Sequence, residues 1–341
     1  MKARFLSIYI ALLTVISCTE SPFVFEHRSE LVSSNQEVYD QFWQAFSDFY
    51  PYFKHKEVNW QAMYHVYKPL LDSVKTEEEL FDVLQQMVYQ LKDGHVLLKS
   101  PFEQYQYQDW YDTQFDGTLI YVKYLANTLY EPDHGRYSYG QIGNVLYVHL
   151  NSFRGAVEPY KELSLLLNGQ PSSTIGLILD LRTNGGGSDV NAHEIARNFV
   201  IEETRIRWVR YRNGPAYHEF SPWISNELSP KKEPYTKPVV VITDRSVFSA
   251  AEDFVMAMQQ FPQVTVLGNY TGGGSGNPMN WELPNGWLVR IPRWQVANPI
   301  TKELYEGIGI RPDTLVEQRT IDTSLGVDRM LEVALQIIRS Q

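Results

Sequence analysis

The sequence has a single cysteine, Cys18, among its 341 residues. One cysteine excludes an internal disulfide, and no thiol after residue 18 can act as a nucleophile or a zinc ligand. None of the eight histidines falls in an HExxH or another common metal-ligand spacing, so neither a metal nor another cofactor is expected. The formal net charge is −10, whereas nucleic-acid-binding proteins have an excess of basic residues, so no nucleic-acid partner is expected.

The N-terminal region lacks an apolar run long enough to span a membrane, which takes about 20 residues. Lys2 and Arg4 precede a mostly apolar stretch that runs only from Phe5 to Ile16. This is the pattern of an export signal, and its end, Val15-Ile16-Ser17-Cys18, resembles the lipobox of bacterial lipoproteins. We expect a signal peptide over residues 1–17, a lipidated Cys18 and a tether over residues 18–33. The alternative is an ordinary secretory signal.

The predicted location is therefore the bacterial cell envelope. The lipid on Cys18 would hold the chain to a membrane, at the periplasmic or the outer-membrane face. Cys18 has no other evident use in the sequence, which favours the lipid over the ordinary signal.

Residues 34–96 show helical periodicity and are predicted to form a small helical subdomain. Ser34 and Thr76 each stand three residues before a glutamate, the capping-box pattern that starts a helix. Apolar and aromatic residues then recur three and four positions apart, and a further helix is expected from Trp60 towards Leu71.

Residues 97–341 are predicted to form an α/β domain. Short apolar runs of the kind found in buried strands alternate with helical patterns, which favours a sheet covered by helices. The predicted strands cover residues 145–150, 175–181, 238–243 and 264–267, and the predicted helices cover residues 189–200 and 249–258.

The first candidate for chemistry is a buried strand that runs into Gly185-Gly186-Gly187. Glycines allow the backbone to approach closely, and the free amides at the start of the next helix favour an anion. No Lys-Ser/Thr pair follows the glycines and no G-x-G-x-x-G register fits, so a phosphate site is not indicated. The turn therefore either stabilises an oxyanion with its backbone amides or only connects the strand to the next helix.

Ser249 is the second candidate, because it stands between an apolar strand and a helical pattern. A serine at such a turn is exposed, and the first amides of the helix can meet its oxyanion. The alternative is a structural helix cap, with Ser249 as the N-cap and Glu252 three residues later. Ser246, earlier in the same loop, is a weaker rival nucleophile.

His95 is the third candidate and follows the third helix, in Lys92-Asp93-Gly94-His95. Gly94 is predicted to end that helix in the left-handed conformation and so to hold His95 at the edge of the helical subdomain. The alternative is a structural histidine, which is also how His149, inside a strand, and His193, inside a helix, are interpreted. An unperturbed imidazole has a pKa of about 6.5, which suits it to activate a serine.

Taken in order, these motifs and the later Tyr305-Glu306-Gly307-Ile308-Gly309-Ile310-Arg311-Pro312-Asp313 resemble the tail-specific and tricorn-core serine peptidases, over residues 36 to 335. The resemblance implies a crotonase-like, Clp-protease-like α/β core with a helical cap. Members that use a Ser/Lys dyad carry the lysine in a Gly-Lys-Gly after the serine, whereas this chain has Gly272-Gly273-Gly274. The tricorn-like branch, which uses His, Ser and Glu, is the better match.

The resemblance implies a role for each site residue. Ser249 would attack a carbonyl, His95 would take its proton, and Glu306 would orient the imidazole directly or through an intervening hydroxyl. The amides of Gly186 and Ala250 would form the oxyanion hole. Glu252 would cap its helix or brace the site. The alternative for Glu306 is a solvated acid in a turn.

The implied function is a serine-type endopeptidase acting on exported proteins or peptides. Tail-specific relatives usually carry a PDZ domain, but the chain between His95 and Ile142 is too short for a complete one. The alternative function is a catalytically weak binding module for apolar ligands or peptides. The expected partners are a polypeptide substrate and, through the lipid, a membrane; the oligomeric state stays open. The aromatic residues after His95 either line a groove or simply pack: Phe102, Tyr105, Tyr107, Trp110 and Tyr111.

Overall fold

A computed structural model of the protein describes residues 33–214 and 216–341. The predicted signal peptide, Cys18 and nearly all of the predicted tether lie outside the described residues. In the part of the chain that is described, no helix has both the length and the apolar character needed to cross a membrane.

The elements are numbered along the chain. The helices are α1 (Asn35–Phe49), α2 (Trp60–Tyr67), α3 (Glu77–Tyr89), α4 (Glu158–Asn168), α5 (Asp189–Ala196), α6 (Ala250–Met258), α7 (Thr320–Ser324) and α8 (Arg329–Arg339). A 3₁₀-helix spans Lys68–Ser73 and a π-helix spans Leu119–Tyr124. The strands are β1 (Leu97–Lys99), β2 (Gln104–Gln106), β3 (Tyr137–Ile142), β4 (Val145–Leu150), β5 (Gly176–Asp180), β6 (Thr204–Tyr211), β7 (Ile224–Leu228), β8 (Val239–Thr243), β9 (Val264–Gly268), β10 (Met279–Glu282), β11 (Leu288–Ile291), β12 (Trp294–Ala297) and β13 (Thr314–Leu315).

The first three helices form where their sequence patterns predict them. Thr76 closes both hydrogen bonds of its capping box before α3, whereas Ser34 makes the one to the backbone N–H of Glu37. The second predicted helix is α-helical only as far as Tyr67 and continues as the 3₁₀-helix. Pro69 explains the change, because proline in an α-helix lacks an N–H and clashes with the carbonyl four residues earlier.

A six-stranded sheet in the order β13-β9-β8-β5-β4-β3 forms the centre of the molecule. Its strands are parallel except β3, which pairs antiparallel with β4. Helices α4, α5 and α6 cover one face, and α8 with the π-helix covers the other. Because both faces of the sheet are buried at its centre, strands β4, β5 and β8 are fully buried and mostly apolar rather than alternating. The predicted α/β fold class with an N-terminal helical subdomain is confirmed.

The helical subdomain shares its core with a second, antiparallel sheet in the order β10-β11-β1-β2. Val289 and Ile291 of β11, with Trp287 just before that strand, pack in one cluster with the buried faces of α1 and α3. The helices thus pack against a hairpin, β10–β11, that comes much later in the chain. The predicted domain boundary after residue 96 stays a prediction. The arrangement fixes His95, which lies two residues before β1, between the helices and the central domain.

The segment from β1 to β3 holds two three-residue strands and the π-helix. That is far less than a folded PDZ domain. A third sheet, in the order β12-β6-β7, lies beside α6.

Candidate active site

Ser249 sits at the sharp turn between β8 and α6. Its backbone has φ 60° and ψ −125°, a conformation that non-glycine residues rarely adopt and that costs about 1–3 kcal/mol. The turn directs the hydroxyl towards the helical subdomain, where Oγ lies 2.9 Å from His95 Nε2. Strained conformations of this kind concentrate at functional sites. The structure therefore brings the two predicted residues together, although 154 positions separate them.

His95 is held by its backbone and by ring packing. Its N–H donates to Asp93 Oδ1 at 2.8 Å, and its carbonyl oxygen accepts from Arg290 Nε at 2.9 Å. The imidazole lies 4.6 Å, between ring centroids, from Phe248. Burial lowers the pKa of His95 to about 4, although the charge of Asp93 acts in the opposite direction. The imidazole is therefore neutral at pH 7 and can accept a proton from Ser249.

Gly94 does not end α3 in the left-handed conformation, and that prediction is wrong. The positive φ falls on Lys92, at 44°. Gly94 is needed for space instead, because a Cβ there would lie 2.5 Å from Trp110 Nε1 and 2.9 Å from Phe248 Cζ. These two rings stack with their centroids 4.2 Å apart, next to Ser249. A side chain at Gly94 would push this stack away from His95.

Glu252 braces the nucleophile turn. Its Oε2 accepts the backbone N–H of Ser249 at 3.0 Å and that of Gly274 at 2.7 Å, and Oε1 accepts the N–H of Gly273 at 2.7 Å and the hydroxyl of Thr271. Burial raises the pKa of Glu252 to about 8, but these four donors all favour the carboxylate. The Ser249 hydroxyl makes no capping bond and faces His95 instead. Only the glutamate side of the capping box is therefore formed, and the Ser249 hydroxyl is free of a capping bond and lies beside His95.

Glu306 is buried, so the alternative of a solvated turn acid is wrong. Its Oε2 accepts the N–H of Ser275 at 2.8 Å and the Ser275 hydroxyl at 3.0 Å. His95 Nδ1 has no hydrogen-bond partner among the described residues, so Glu306 does not bond it directly. The Ser275 backbone lies beside the imidazole and acts to raise its pKa against the larger effect of burial. Ser275 therefore lies between Glu306 and His95.

The two predicted oxyanion donors differ in their surroundings. Ala250 is the first residue of α6, where backbone amides have no acceptor within the helix. The N–H of Gly186 donates to Asn184 Oδ1 at 3.0 Å and would have to share or give up this bond. The turn still closes tightly on the nucleophile, since a Cβ on Gly186 would lie 2.8 Å from that of Ser249. Ala250 is the readier donor, and the role of Gly186 stays a prediction.

Ser246, the rival nucleophile, is buried and occupied. Its hydroxyl contacts Asp244 and accepts the backbone N–H of Thr183 at 2.6 Å. His149 is also hydrogen-bonded on both ring nitrogens, to the Tyr121 hydroxyl and the Arg182 carbonyl. These contacts fit the structural roles predicted for His149 and leave Ser249 as the serine beside an imidazole.

Of the five aromatic residues after His95, four divide between the two predicted roles, and Tyr111 is exposed. Phe102 packs against Phe81 and Trp287 in the helical subdomain, and Tyr105 packs on the same core. Tyr107 and Trp110 line a cavity of about 520 Å³ that borders Gly94 and Glu306.

Two residues of the site escape prediction from the sequence. Ser275 follows the triple glycine at 272–274 without a motif of its own, and Lys56 lies in the segment between α1 and α2. Lys56 Nζ comes within 2.9 Å of Glu306 Oε1. No local sequence pattern indicates the ion pair between Lys56 and Glu306, because the two residues are far apart in the chain. Among the described residues, no cluster of histidine, cysteine, aspartate or glutamate is arranged to hold a metal ion.

The central α/β sheet, the serine on a strained strand-to-helix turn and the adjacent neutral imidazole define the class of serine hydrolases. Sequence comparison narrows the class: residues 144–316 match peptidase family S41, and residues 33–89 match the tricorn protease C1 domain. The chain belongs to peptidase family S41 and is by family a serine peptidase.

Individual relatives agree with this assignment. The solved structure of a candidate peptidase from Parabacteroides merdae is 33% identical and superposes with a TM-score of 0.82, over 90% of this chain and 97% of that one. The carboxyl-terminal-processing protease of Synechocystis sp. is 28% identical over 52% of this chain and 39% of its own length. The tricorn protease of Thermoplasma volcanium is 23% identical over 64% of this chain and 19% of its own. The chain thus spans less than half the length of these curated relatives.

Proposed function

We propose that the protein is a serine-type endopeptidase that uses Ser249, His95 and Glu306. The 2.9 Å approach of Ser249 Oγ to His95 Nε2 carries the proposal. A serine hydroxyl is a weak nucleophile unless a neutral base lies within hydrogen-bond reach. Burial keeps His95 in that neutral form at pH 7.

The reaction follows from this geometry. Ser249 Oγ attacks the carbonyl carbon of the scissile bond while its proton passes to His95 Nε2. The negative charge that develops on the carbonyl oxygen is met by the N–H of Ala250, with Gly186 as the second predicted donor. His95 then gives the proton to the leaving amine, and a water molecule hydrolyses the acyl-enzyme by the same steps.

Glu306 supports the imidazolium through Ser275 in this proposal. The carboxylate fixes the Ser275 backbone and hydroxyl with two hydrogen bonds to Oε2. The Tyr52 hydroxyl contacts Ser275 Oγ from the other side. These contacts hold the Ser275 backbone beside the imidazole ring. Glu306 therefore acts on the ring through Ser275, whereas the acid of a serine-peptidase triad usually bonds the ring directly.

A polypeptide is the substrate class that membership of a peptidase family supports. Exported proteins or peptides, as the particular substrates, are an expectation that depends on the N-terminal segment. We propose that Cys18 is lipidated and holds the protein at the bacterial envelope, because it ends an export-type apolar stretch and is the sole cysteine.

The Cys18→Ser variant tests the anchor. The wild-type protein, expressed in a bacterium, should fractionate with membranes, and the variant should lose its lipid and move to the soluble fraction. Recovery of the variant in the membrane fraction as fully as wild type would contradict the anchor.

Hydrolysis of fluorescein-labelled casein, an unfolded protein, tests the catalytic proposal. Ser249→Ala should lower turnover by about six orders of magnitude, because the members of such a triad act as a unit. The matched control, Ser246→Ala, should keep measurable turnover, since Ser246 only fixes the loop. Near-wild-type turnover in a folded Ser249→Ala would overturn the assignment. A wild-type protein as inactive as this variant would favour the binding-module alternative.

A further inference from the structure

Lys56 forms a buried ion pair with Glu306, although it comes from the helical subdomain. Its Nζ lies 2.9 Å from Glu306 Oε1, and the two side chains are 10% and 1% exposed. The same ammonium donates to the carbonyl oxygen of Lys92 at 3.0 Å. We propose that Lys56 is a positioning residue that holds Glu306 ionised and aimed at Ser275, so that Glu306 can support His95. This inference rests on the proposed function.

The two oxygens of Glu306 have separate tasks in this arrangement. Oε1 faces Lys56, and Oε2 receives both hydrogen bonds from Ser275. A buried carboxylate without a cation takes up a proton, because burial disfavours the charged form. A protonated Glu306 would lose its charge and could turn a hydroxyl towards Ser275, and the support of His95 would weaken.

The charges around Glu306 explain why a cation is needed. Burial, together with the charge of Asp93, raises the pKa of Glu306 above its ordinary value, and Lys56 opposes this rise. Burial alone would lower the pKa of Lys56, but the charges of Glu306 and Asp93 raise it, so Lys56 stays an ammonium at neutral pH. The other titratable or charged groups that face Glu306 or its partners are His95, Tyr50, Tyr52, His55, Tyr107 and Arg290.

Other cations line the same cavity but serve different contacts. Arg245 donates to the carbonyl oxygens of Trp110, Thr271, Gly272 and Ile308 and so fastens loops together. Lys92 meets Lys56 through its backbone carbonyl rather than its side chain. Lys92 therefore offers a matched control, a second lysine at the same cavity whose side chain is outside the ion pair.

The test is the rate at which a fluorophosphonate modifies Ser249, measured from pH 5 to pH 10. This readout needs no knowledge of the natural substrate. The proteins compared are wild type, Lys56→Met, Lys56→Arg, Lys92→Met, Glu306→Gln and the double variant Lys56→Met/Glu306→Gln. Lys56→Gln, which can still donate to the Lys92 carbonyl, replaces Lys56→Met if the latter does not fold.

Lys56→Met should react at least about tenfold more slowly at pH 7, and its rate should recover as pH rises. The rate recovers at higher pH because Glu306, without the ammonium of Lys56, loses its proton only at a higher pH. We expect the acid limb of the profile to move up by about one pH unit or more. Lys56→Arg and Lys92→Met should keep the wild-type limb, and the double variant should match Glu306→Gln.

A Lys56→Met profile lowered equally at every pH would overturn the proposal, because it would show a merely structural role. An equal loss when Lys56→Met is added to Glu306→Gln would do the same, since Lys56 would then act without Glu306. Failure of the underlying function looks different, namely no modification of Ser249 in the wild type.

Discussion

The proposed active site has two halves, the nucleophile side around Ser249 and the base side around His95, and they are built in different ways. On the nucleophile side, Ser249 and the loop 271–274 are tied by four hydrogen bonds to the buried side chain of Glu252. On the base side, His95 lies near the charges of Asp93, Arg290 and Lys56, and Lys56 is in turn paired with Glu306. The first half fixes geometry and the second sets protonation. We therefore expect changes to the first half to lower the stability of the fold, and changes to the second half to shift the pH profile of the reaction.

The halves also differ in origin. The nucleophile side comes from the central sheet and its following loop, whereas the base side needs the helical subdomain for both His95 and Lys56. Breaking the contact between subdomain and sheet should therefore remove the base while the nucleophile turn persists.

The largest contrast is expected between the two glutamates. Glu306→Gln keeps the size of the side chain but removes its charge, and turnover on casein should fall by about two orders of magnitude with little change in KM. Glu252→Gln should instead lower the free energy of unfolding by about 1–3 kcal/mol, because its amide group would face N–H donors. Turnover and thermal unfolding of both variants are the measurements.

The opposite outcome for the two glutamates would contradict these roles. Loss of turnover in a stable Glu252→Gln, with Glu306→Gln unaffected, would make Glu252 the acid that supports the base.

The next effect concerns the stability of the base side in acid. The pKa of His95 is near 6.5 when unfolded and about 4 when folded, so the unfolded state binds more protons between these values. Stability should fall as pH drops from about 6.5 to about 4, by about 2–3 kcal/mol from this residue. Denaturant unfolding of wild type and His95→Gln across that window measures it. The exposed His218→Gln should retain the wild-type slope, and an unchanged slope in His95→Gln would refute the burial effect.

The smallest effect is expected at Ser275. Ser275→Ala removes the hydroxyl that donates to Glu306 Oε2 but keeps the backbone N–H bond. We expect kcat on casein to fall about tenfold, the equivalent of one charge-assisted hydrogen bond, with KM nearly unchanged. Ser138→Ala, a buried serine on β3, is the control. No change at Ser275 would mean that its backbone alone links Glu306 to the base.

The sequence predicts much of this architecture because the relevant patterns are local. The apolar strand β4 falls on residues 145–150 as predicted, and β5, β8 and β9 lie within one residue of prediction at each end. Ser249 and His95 could be identified because each follows a recognisable element.

What the sequence does not predict depends on contacts between distant segments. Lys56 has no motif, since its partner Glu306 lies far along the chain. The need for Gly94 becomes visible only once Trp110 and Phe248 pack against it. The N–H of Gly186 is engaged by a side chain two residues earlier, a detail of rotamer and turn rather than of residue type.

In the proposed mechanism, Ser249 is the residue that His95 activates. The most direct measurement is to treat the purified protein at pH 7 with a fluorophosphonate and to locate the modified residue by peptide mass spectrometry. We expect a single modified serine, Ser249, and at least about a hundredfold slower modification in a folded His95→Ala variant. Modification at Ser246 or another serine, or an unchanged rate in His95→Ala, would contradict it.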